Sequence, residues 1–271
     1  MVNMVKRMKM KKNKLYLTIY VGVALVAIPM LMACSSTSAL KEGEQLFTGL
    51  KPIEYTNYQK SSYVDSTILE MENVLASAPN GALFGSSYHR TPFPVRLWIW
   101  NAFSPSESPI AKWITKAFGS KPKLMSQVNP QLRAQVAENQ LDKYGFFQGK
   151  VSYDVLTKKK SKKAKVAYRV DLGHLWTLDS VQYISFPEAG MHLIDSTLSQ
   201  AVIRNGEPFN VSRLEQERQR LTRLFRNNGY YYYKNGYASY LADTLSQPGK
   251  VQVRLVMADS IDTLAYRRWY V

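Results

Sequence analysis

Few side chains in this sequence are placed to do chemistry. His89, His174 and His192 stand far apart, with no cysteine or paired acid at metal-ligand spacing beside any of them. Each therefore reads as a surface or half-buried imidazole, not as a ligand. No nucleophile elbow, phosphate-binding glycine loop or zinc-hydrolase helix occurs. What remains is one thiol, Cys34, the only cysteine in 271 residues. One thiol forms neither an intramolecular disulfide framework nor a multi-cysteine zinc site, but it can act as a nucleophile. These residues supply no metal site and call for no cofactor; missing motifs alone are weak evidence against an enzyme, and the non-enzymatic expectation comes from joining them to the module resemblance that the later residues carry.

The residues around that sulfur say what would react with it. Residues 1–33 open with a basic stretch containing Lys6, Arg7, Lys9, Lys11, Lys12 and Lys14. The run LYLTIYVGVALVAIPMLMA follows, broken only by Thr18 and Pro29, and ends on the small residue Ala33 before Cys34. This is the order of an export signal, although the run also approaches the ~20 residues of a spanning anchor. LMAC, residues 31–34, resembles the bacterial lipobox, in which the cysteine is diacylated on sulfur and becomes the mature N-terminus. That resemblance favours a signal peptide at 1–33 and a covalent lipid on Cys34, followed by a tether at 34–43. At ~0.8 kcal/mol per buried CH₂, several acyl chains hold a protein on a membrane far longer than one. The tether has no Asp after the cysteine and no acidic run, which by resemblance to lipoprotein sorting rules implies an outer-membrane anchor facing the periplasm. The chain carries 36 Lys and Arg against 20 Asp and Glu, yet an exported chain meets almost no nucleic acid, so nucleic acid is not an expected partner.

The mature sequence repeats itself. LDKYGFF at 141–147 lines up with FRNNGYY at 225–231, and the strand-like KVAYRVDL at 165–172 lines up with KVQVRLVM at 250–257. Before each glycine lies an amphipathic helical stretch, with apolar stripes of Leu132, Val136, Leu141 and Tyr144 and of Leu214, Leu221, Leu224 and Phe225. Gly145 and Gly229 then stand where a helix end needs a left-handed residue. After each glycine the period becomes two, first through Val151, Tyr153 and Val155, then through Val166, Tyr168, Val170 and Leu172. The second copy runs through 237–243, a turn at Pro248 and Gly249, and Val251, Val253, Leu255 and Met257. Upstream, a strand at 46–55 precedes a helix marked by Val64, Ile68, Met71 and Leu75. A strand at 176–186 precedes one marked by Ile194, Leu198, Ala201 and Val202. Each copy reads β-α-α-β-β, an α+β unit with a small sheet.

This order, the phrase RLTRLFRNNGYYYY and the GEPFN break between helices resemble the POTRA modules of the outer-membrane assembly family typified by BamA and TamA. Together with the lipobox, LKEGEQLFTGLKPIEY resembles the lipoprotein branch of TamA-like proteins. The resemblance implies tandem modules, each a three-stranded sheet with two helices on one face. The first spans 44–173 with an insertion at about 78–123, the second spans 174–258, and 259–271 would open a further, truncated module. It implies a periplasmic binding function in which unfolded outer-membrane proteins are received by strand addition, alongside other envelope assembly or transport components. The accepting edges would be the strands after each glycine, 151–155 and 237–241, through Val151, Tyr153, Val155, Tyr237, Tyr240 and Leu241. A docking module for an envelope lipid or polysaccharide transport partner is the alternative.

Three further features take bland readings first. The lysine run KKKSKKAK at 158–165 reads as a solvated hairpin tip, with anionic headgroups as the functional alternative. Tyr230 to Tyr233 read as the start of a strand, half core and half rim. In the insertion, Ile110, Trp113, Ile114, Ala117 and Phe118 share one helical face, with Lys112 and Lys116 off it. Such a face lies either at a membrane surface or over its own domain, and the second arrangement is the commoner. Acylation makes the first prediction: Cys34→Ala releases the protein from the membrane fraction or leaves an unprocessed precursor, measured by fractionation and mass spectrometry. An unchanged lipidated product would refute the assignment.

Overall fold

In the computed structural model, residues 36–157, 161–259 and 261–269 are described. The signal sequence, Cys34 and Lys158 to Lys160 of the lysine run lie outside them. The described chain packs as two compact units. The first comprises Ala76–Arg133 and Tyr153–Tyr168 with the described residues up to Ile53; the second comprises Glu54–Leu75, Ala134–Ser152 and the chain from Arg169 onward.

In the first unit, β1 (Leu46–Leu50) pairs parallel with the start of β4 (Lys163–Asp171). Thr48 fixes the register by donating its hydroxyl to the carbonyl of Ala164 at 2.9 Å. The insertion contributes α2 (Val95–Phe103) and α3 (Pro109–Phe118), which pack on each other. Leu97 of α2 is buried with Leu40 and Leu46, and Leu124 packs against them. Asn80 closes the base of the insertion. Its side chain accepts from the Lys123 amide and donates to the Lys121 carbonyl, both at 2.7 Å. The expected single strand at 46–55 is interrupted, because Pro52 has no N–H for a ladder. Pairing resumes in the second unit as β2 (Glu54–Thr56) against the end of β4, Glu54 opposite Arg169.

The second unit also holds α1 (Ser62–Leu75), most of α5 (Pro130–Lys143) and the first residues of β3 (Lys150–Thr157), a strand that pairs β4. A short α4 (Met125–Val128) precedes α5. There follow β5 (Thr177–Ile184), α6 (Glu188–Ser196), α7 (Val211–Asn227), β6 (Ala238–Asp243) and β7 (Lys250–Met257). These last elements reproduce β-α-α-β-β, with sheet order β5-β7-β6. β7 is central, parallel to β5 and antiparallel to β6. Alternation explains its burial: Val251, Val253, Leu255 and Met257 all point to one face and are buried. Leu214, Leu221 and Phe225 of α7 and Ile194 of α6 belong to the buried clusters on that face. Burying a side chain such as Phe225 contributes about 1.5–3 kcal/mol. The α+β class and the layer of two helices on one sheet face are as the sequence indicates.

The structure corrects several local expectations. On α5 it is Ala134, Ala137 and Leu141 that are buried, while Leu132 and Val136 are exposed. Helix α6 ends at Ser196, leaving Leu198 exposed in a 3₁₀ turn, because the Thr197 hydroxyl sits against the carbonyls of Leu193 and Ile194. Tyr230 to Tyr233 form a turn, not a strand start. Tyr230 and Tyr233 pack on Phe225 at 5.7 and 4.5 Å between ring centroids, and Tyr231 and Tyr232 are exposed.

Both helix ends close as the glycines require. Gly145 has φ +86° and Gly229 φ +94°. The next amides, Phe146 and Tyr230, donate back to Leu141 and Phe225, each at 3.0 Å, the 6→1 bond of a Schellman motif. At Gly145 the close approach goes further. Its carbonyl accepts from the Trp176 amide at 2.9 Å, and an added Cβ would lie 3.0 Å from the carbonyl oxygens of both Trp176 and Phe209. Tyr63 braces the same point, its hydroxyl 3.0 Å from the carbonyls of Tyr144 and Phe209 and accepting from the Asn210 side chain at 3.2 Å. Burial pushes this phenol up to about pKa 12. Gly145→Val combines left-handed strain with two backbone clashes and is expected to cost at least ~2 kcal/mol, measured by urea unfolding. A loss below ~0.5 kcal/mol would contradict the geometry.

Candidate functional site

The main-chain edges of the sheet β5-β7-β6 are the second unit's candidate site. A strand edge carries unpaired N–H and C=O groups that either must be shielded or can accept another strand. The β5 edge is occupied at its start: Leu178 donates to Glu207 at 2.8 Å, Gly206 donates to Leu178 at 2.7 Å, and Thr177 bridges Pro208. A register shift between Leu178 and Ser180 further breaks its regularity. β6 differs. Its six residues pair with β7 without a shift, from Ala238 opposite Met257 to Asp243 opposite Gln252, and it stands at the end of the sheet. The sequence ASYLAD contains no proline and no lysine, two common means of blunting an edge.

The side chains of β6 divide by face. Ala238 is buried and Tyr240 half-buried, while Ser239 and Leu241 are exposed, Leu241 at 58%. Tyr240 donates its hydroxyl to the carbonyl of Leu214 at 3.0 Å, which pins the edge strand to α7. Its phenol is pushed up, first by burial and then by the charge of Glu217. Tyr237, expected in this strand, lies just before it in a 3₁₀ turn. At the far end the Asp243 carboxylate accepts from the amides of Leu245 and Ser246 and from the Ser246 hydroxyl. These bonds, the hydroxyl foremost, hold it below the usual carboxylate range.

The first repeat places its expected residues differently. Val151 is buried, and its amide donates to the Glu138 carboxylate at 2.9 Å, so that N–H is already engaged. Tyr153 is half-buried and Val155 exposed. Val151, Tyr153 and Val155 thus share a strand, while Tyr240 and Leu241 share another with Tyr237 at its threshold.

One important residue escaped the sequence reading. Glu217, on the apolar stripe of α7 with Leu214, Leu221 and Phe225, is fully buried. It accepts from the Tyr183 hydroxyl and the Val202 amide, both at 2.8 Å, and pairs with Arg220 at 2.6 Å. Arg220 in turn donates to Thr197 at 3.1 Å. This cluster ties β5, the segment after α6 and α7 together beneath the sheet. Its signal was the 214-217-221-225 spacing, which sets an acid among core positions.

The first unit contributes two clefts. One of about 730 Å³ lies in the insertion, with Phe93, Pro94, Arg96, Lys121 and Lys123 among its lining residues. The other, of about 530 Å³, is lined by Lys51, Arg90, Lys163 and Lys165 together with Thr48 and Leu156. Neither lining includes an acidic residue. Among the described residues no group of three or more His, Cys, Asp or Glu side chains is placed to hold a metal. Among them, too, no helix is long and apolar enough to cross a membrane.

The chain matches no family model, and no curated protein matches it. Among solved structures it is similar to the third to fifth POTRA domains of BamA from Haemophilus influenzae. Identity there is 14% over 85% of this chain and 70% of that one, with a TM-score of 0.39. It is also similar to the first two POTRA domains of the periplasmic domain of Omp85 from Anabaena, with 13% identity, 82% and 100% coverage and a TM-score of 0.35.

Because Glu217 underlies the edge-bearing sheet, its removal should be felt there. Glu217→Ala leaves the Arg220 charge without a carboxylate and the Tyr183 and Val202 donors unmet, and is expected to cost ~3–5 kcal/mol. Glu217→Gln, which keeps an acceptor, should cost less. Denaturant melts of both variants check the order, and an Ala variant as stable as the wild type would refute it.

Proposed function

We propose that this chain is a lipid-anchored, periplasm-facing binding protein of outer-membrane protein assembly, built of POTRA-like repeats and without enzymatic activity. It receives unfolded barrel-protein segments as an added strand on β6 and works with other envelope assembly or transport components. The observation that carries the reading is the regular β6 strand at the end of a sheet whose opposite edge is occupied at its start and broken by a register shift. An unfolded barrel strand has backbone donors and acceptors without partners, and pairing with β6 satisfies them through main-chain bonds. Main-chain recognition is tolerant of side chains, as a receiver of many clients requires. The β3 strand, with Val151, Tyr153 and Val155, is a second, weaker acceptor, because Glu138 already engages the Val151 amide.

Strand-forming peptides from barrel proteins should perturb the amides of Ser239, Leu241 and neighbouring β6 residues in NMR titrations, leaving α6 and α7 largely unmoved. Proline-broken versions should bind roughly ten-fold more weakly or worse, through lost main-chain bonds. Equal binding by the broken peptides, or shifts confined to the helices and the lysine loop, would replace strand addition with docking of a fixed envelope partner.

A further inference from the structure

The helix α3 is packed the wrong way round for a helix that merely completes its own unit. Its small residues Ala111 and Thr115 are buried, whereas Ile110 is 71%, Trp113 63% and Phe118 52% exposed. At 100° per residue, Ile110, Trp113, Ile114, Ala117 and Phe118 form one continuous stripe. Trp113 and Phe118 meet edge to face at 5.7 Å along it. Ala117 is exposed and Ile114 half-buried. The common arrangement, in which such a stripe closes over its own domain, is thus overturned. A contiguous exposed apolar face of this kind marks an interaction surface.

Two observations say what covers it. The first is charge. The insertion at 78–123 carries Arg90, Arg96, Lys112, Lys116, Lys121 and Lys123 against a single acid, Glu107. Lys112 and Lys116 flank the stripe on the side away from Ala111 and Thr115, and the clefts of the same unit are lined by bases without an acid. The second is the path of the chain. Ser36 is buried, and its hydroxyl accepts from the indole N–H of Trp98 on α2 at 3.3 Å. Lys162 holds the same segment by donating to the carbonyl of Leu40 at 3.0 Å. Cys34 is two residues before Ser36, so a lipid on its sulfur is tethered within about 7 Å of backbone from a point fixed to α2, the helix against which α3 packs.

We infer that α3 is an interfacial helix that lies on the anionic lipid surface into which the N-terminal acyl chains insert. The apolar stripe enters the headgroup boundary, where Trp113 suits the mixed environment; Lys116 faces the phosphates, and Lys112, paired with Glu107 at 2.6 Å in an exposed ion pair, exchanges that carboxylate for a phosphate. The tether argument rests on the acylation of Cys34 proposed above; the helix itself does not.

The test separates the two. The chain from residue 35 onward, which carries no acyl group, is sedimented with phosphatidylcholine vesicles with and without phosphatidylglycerol, and tryptophan quenching by brominated lipids is recorded. Binding to the anionic vesicles is expected, with quenching that disappears in Trp113→Phe. Ile110→Ser with Trp113→Ser, at exposed positions that leave the fold intact by circular dichroism, should weaken binding roughly ten-fold or more. Lys112→Glu with Lys116→Glu should weaken it as well. No vesicle binding, equal binding to neutral vesicles, or undiminished binding by the serine variant overturns the inference. So does protection of Trp113 by an envelope protein in place of lipid. Mass spectrometry of Cys34 in the full chain reports independently on the anchor, so either result can fail without the other.

Discussion

The structure of the second unit depends on one place where the chain has no room for a side chain. At Gly145 the helix ends in a left-handed turn, and the backbones of Trp176 and Phe209 close on it to the distance that a Cβ would occupy. The exposed carbonyl of the turn then receives the Trp176 amide, which sets where β5 begins. Phe209, whose amide donates to the Trp176 carbonyl at 2.9 Å, sets where α7 begins, with Asn210 as its cap. A strand and a helix thus inherit their starting points from one turn. Tyr63 adds a hydroxyl at the same spot, so α1 is fastened there too.

Much of this was legible because it depends on backbone rules that leave a mark in sequence. Left-handed helix ends select glycine, and sheet faces impose a period of two, so Gly145, Gly229 and the valines of β7 could be placed from sequence. What was not legible depends on how closely elements approach. α5 buries Ala134, Ala137 and Leu141 and exposes Leu132 and Val136, a division that a ranking by hydrophobicity overlooks. Glu217 left only a spacing signal: a charge in the core is tolerated when specific partners are present, and although Arg220 is three residues away on the same helix, Tyr183 and Val202 come from other segments. The four tyrosines misled through their β propensity, whereas the Tyr233 amide turns back to Tyr230 at 3.0 Å. The contacts at the start of β5 were not legible, since residues 206–208 carry no sign that they will lie against it.

The two surfaces assigned a role work by different physics. β6 offers directional main-chain bonds in water, strong only when a partner supplies a whole row of them. The outward face of α3 offers area and charge, which are indifferent to sequence and register. An extended polypeptide suits the first and a disordered headgroup layer suits the second. Each is carried by a different unit, so a change in one need not be read as damage to the other.

The stitch at Gly145 has a counterpart. Gly229 closes its helix in the same way, its carbonyl accepts from the Trp269 amide at 2.8 Å, and its missing Cβ would lie 2.7 Å from the Trp269 carbonyl. A tryptophan amide on a glycine carbonyl is therefore a coupling term present at both helix ends, joining each to a segment that follows it. An array coupled in this manner behaves as a one-dimensional lattice, with stability summed from site terms and nearest-neighbour terms. In such a lattice a fault is local: it weakens one joint and reaches distant copies only as far as cooperativity carries it.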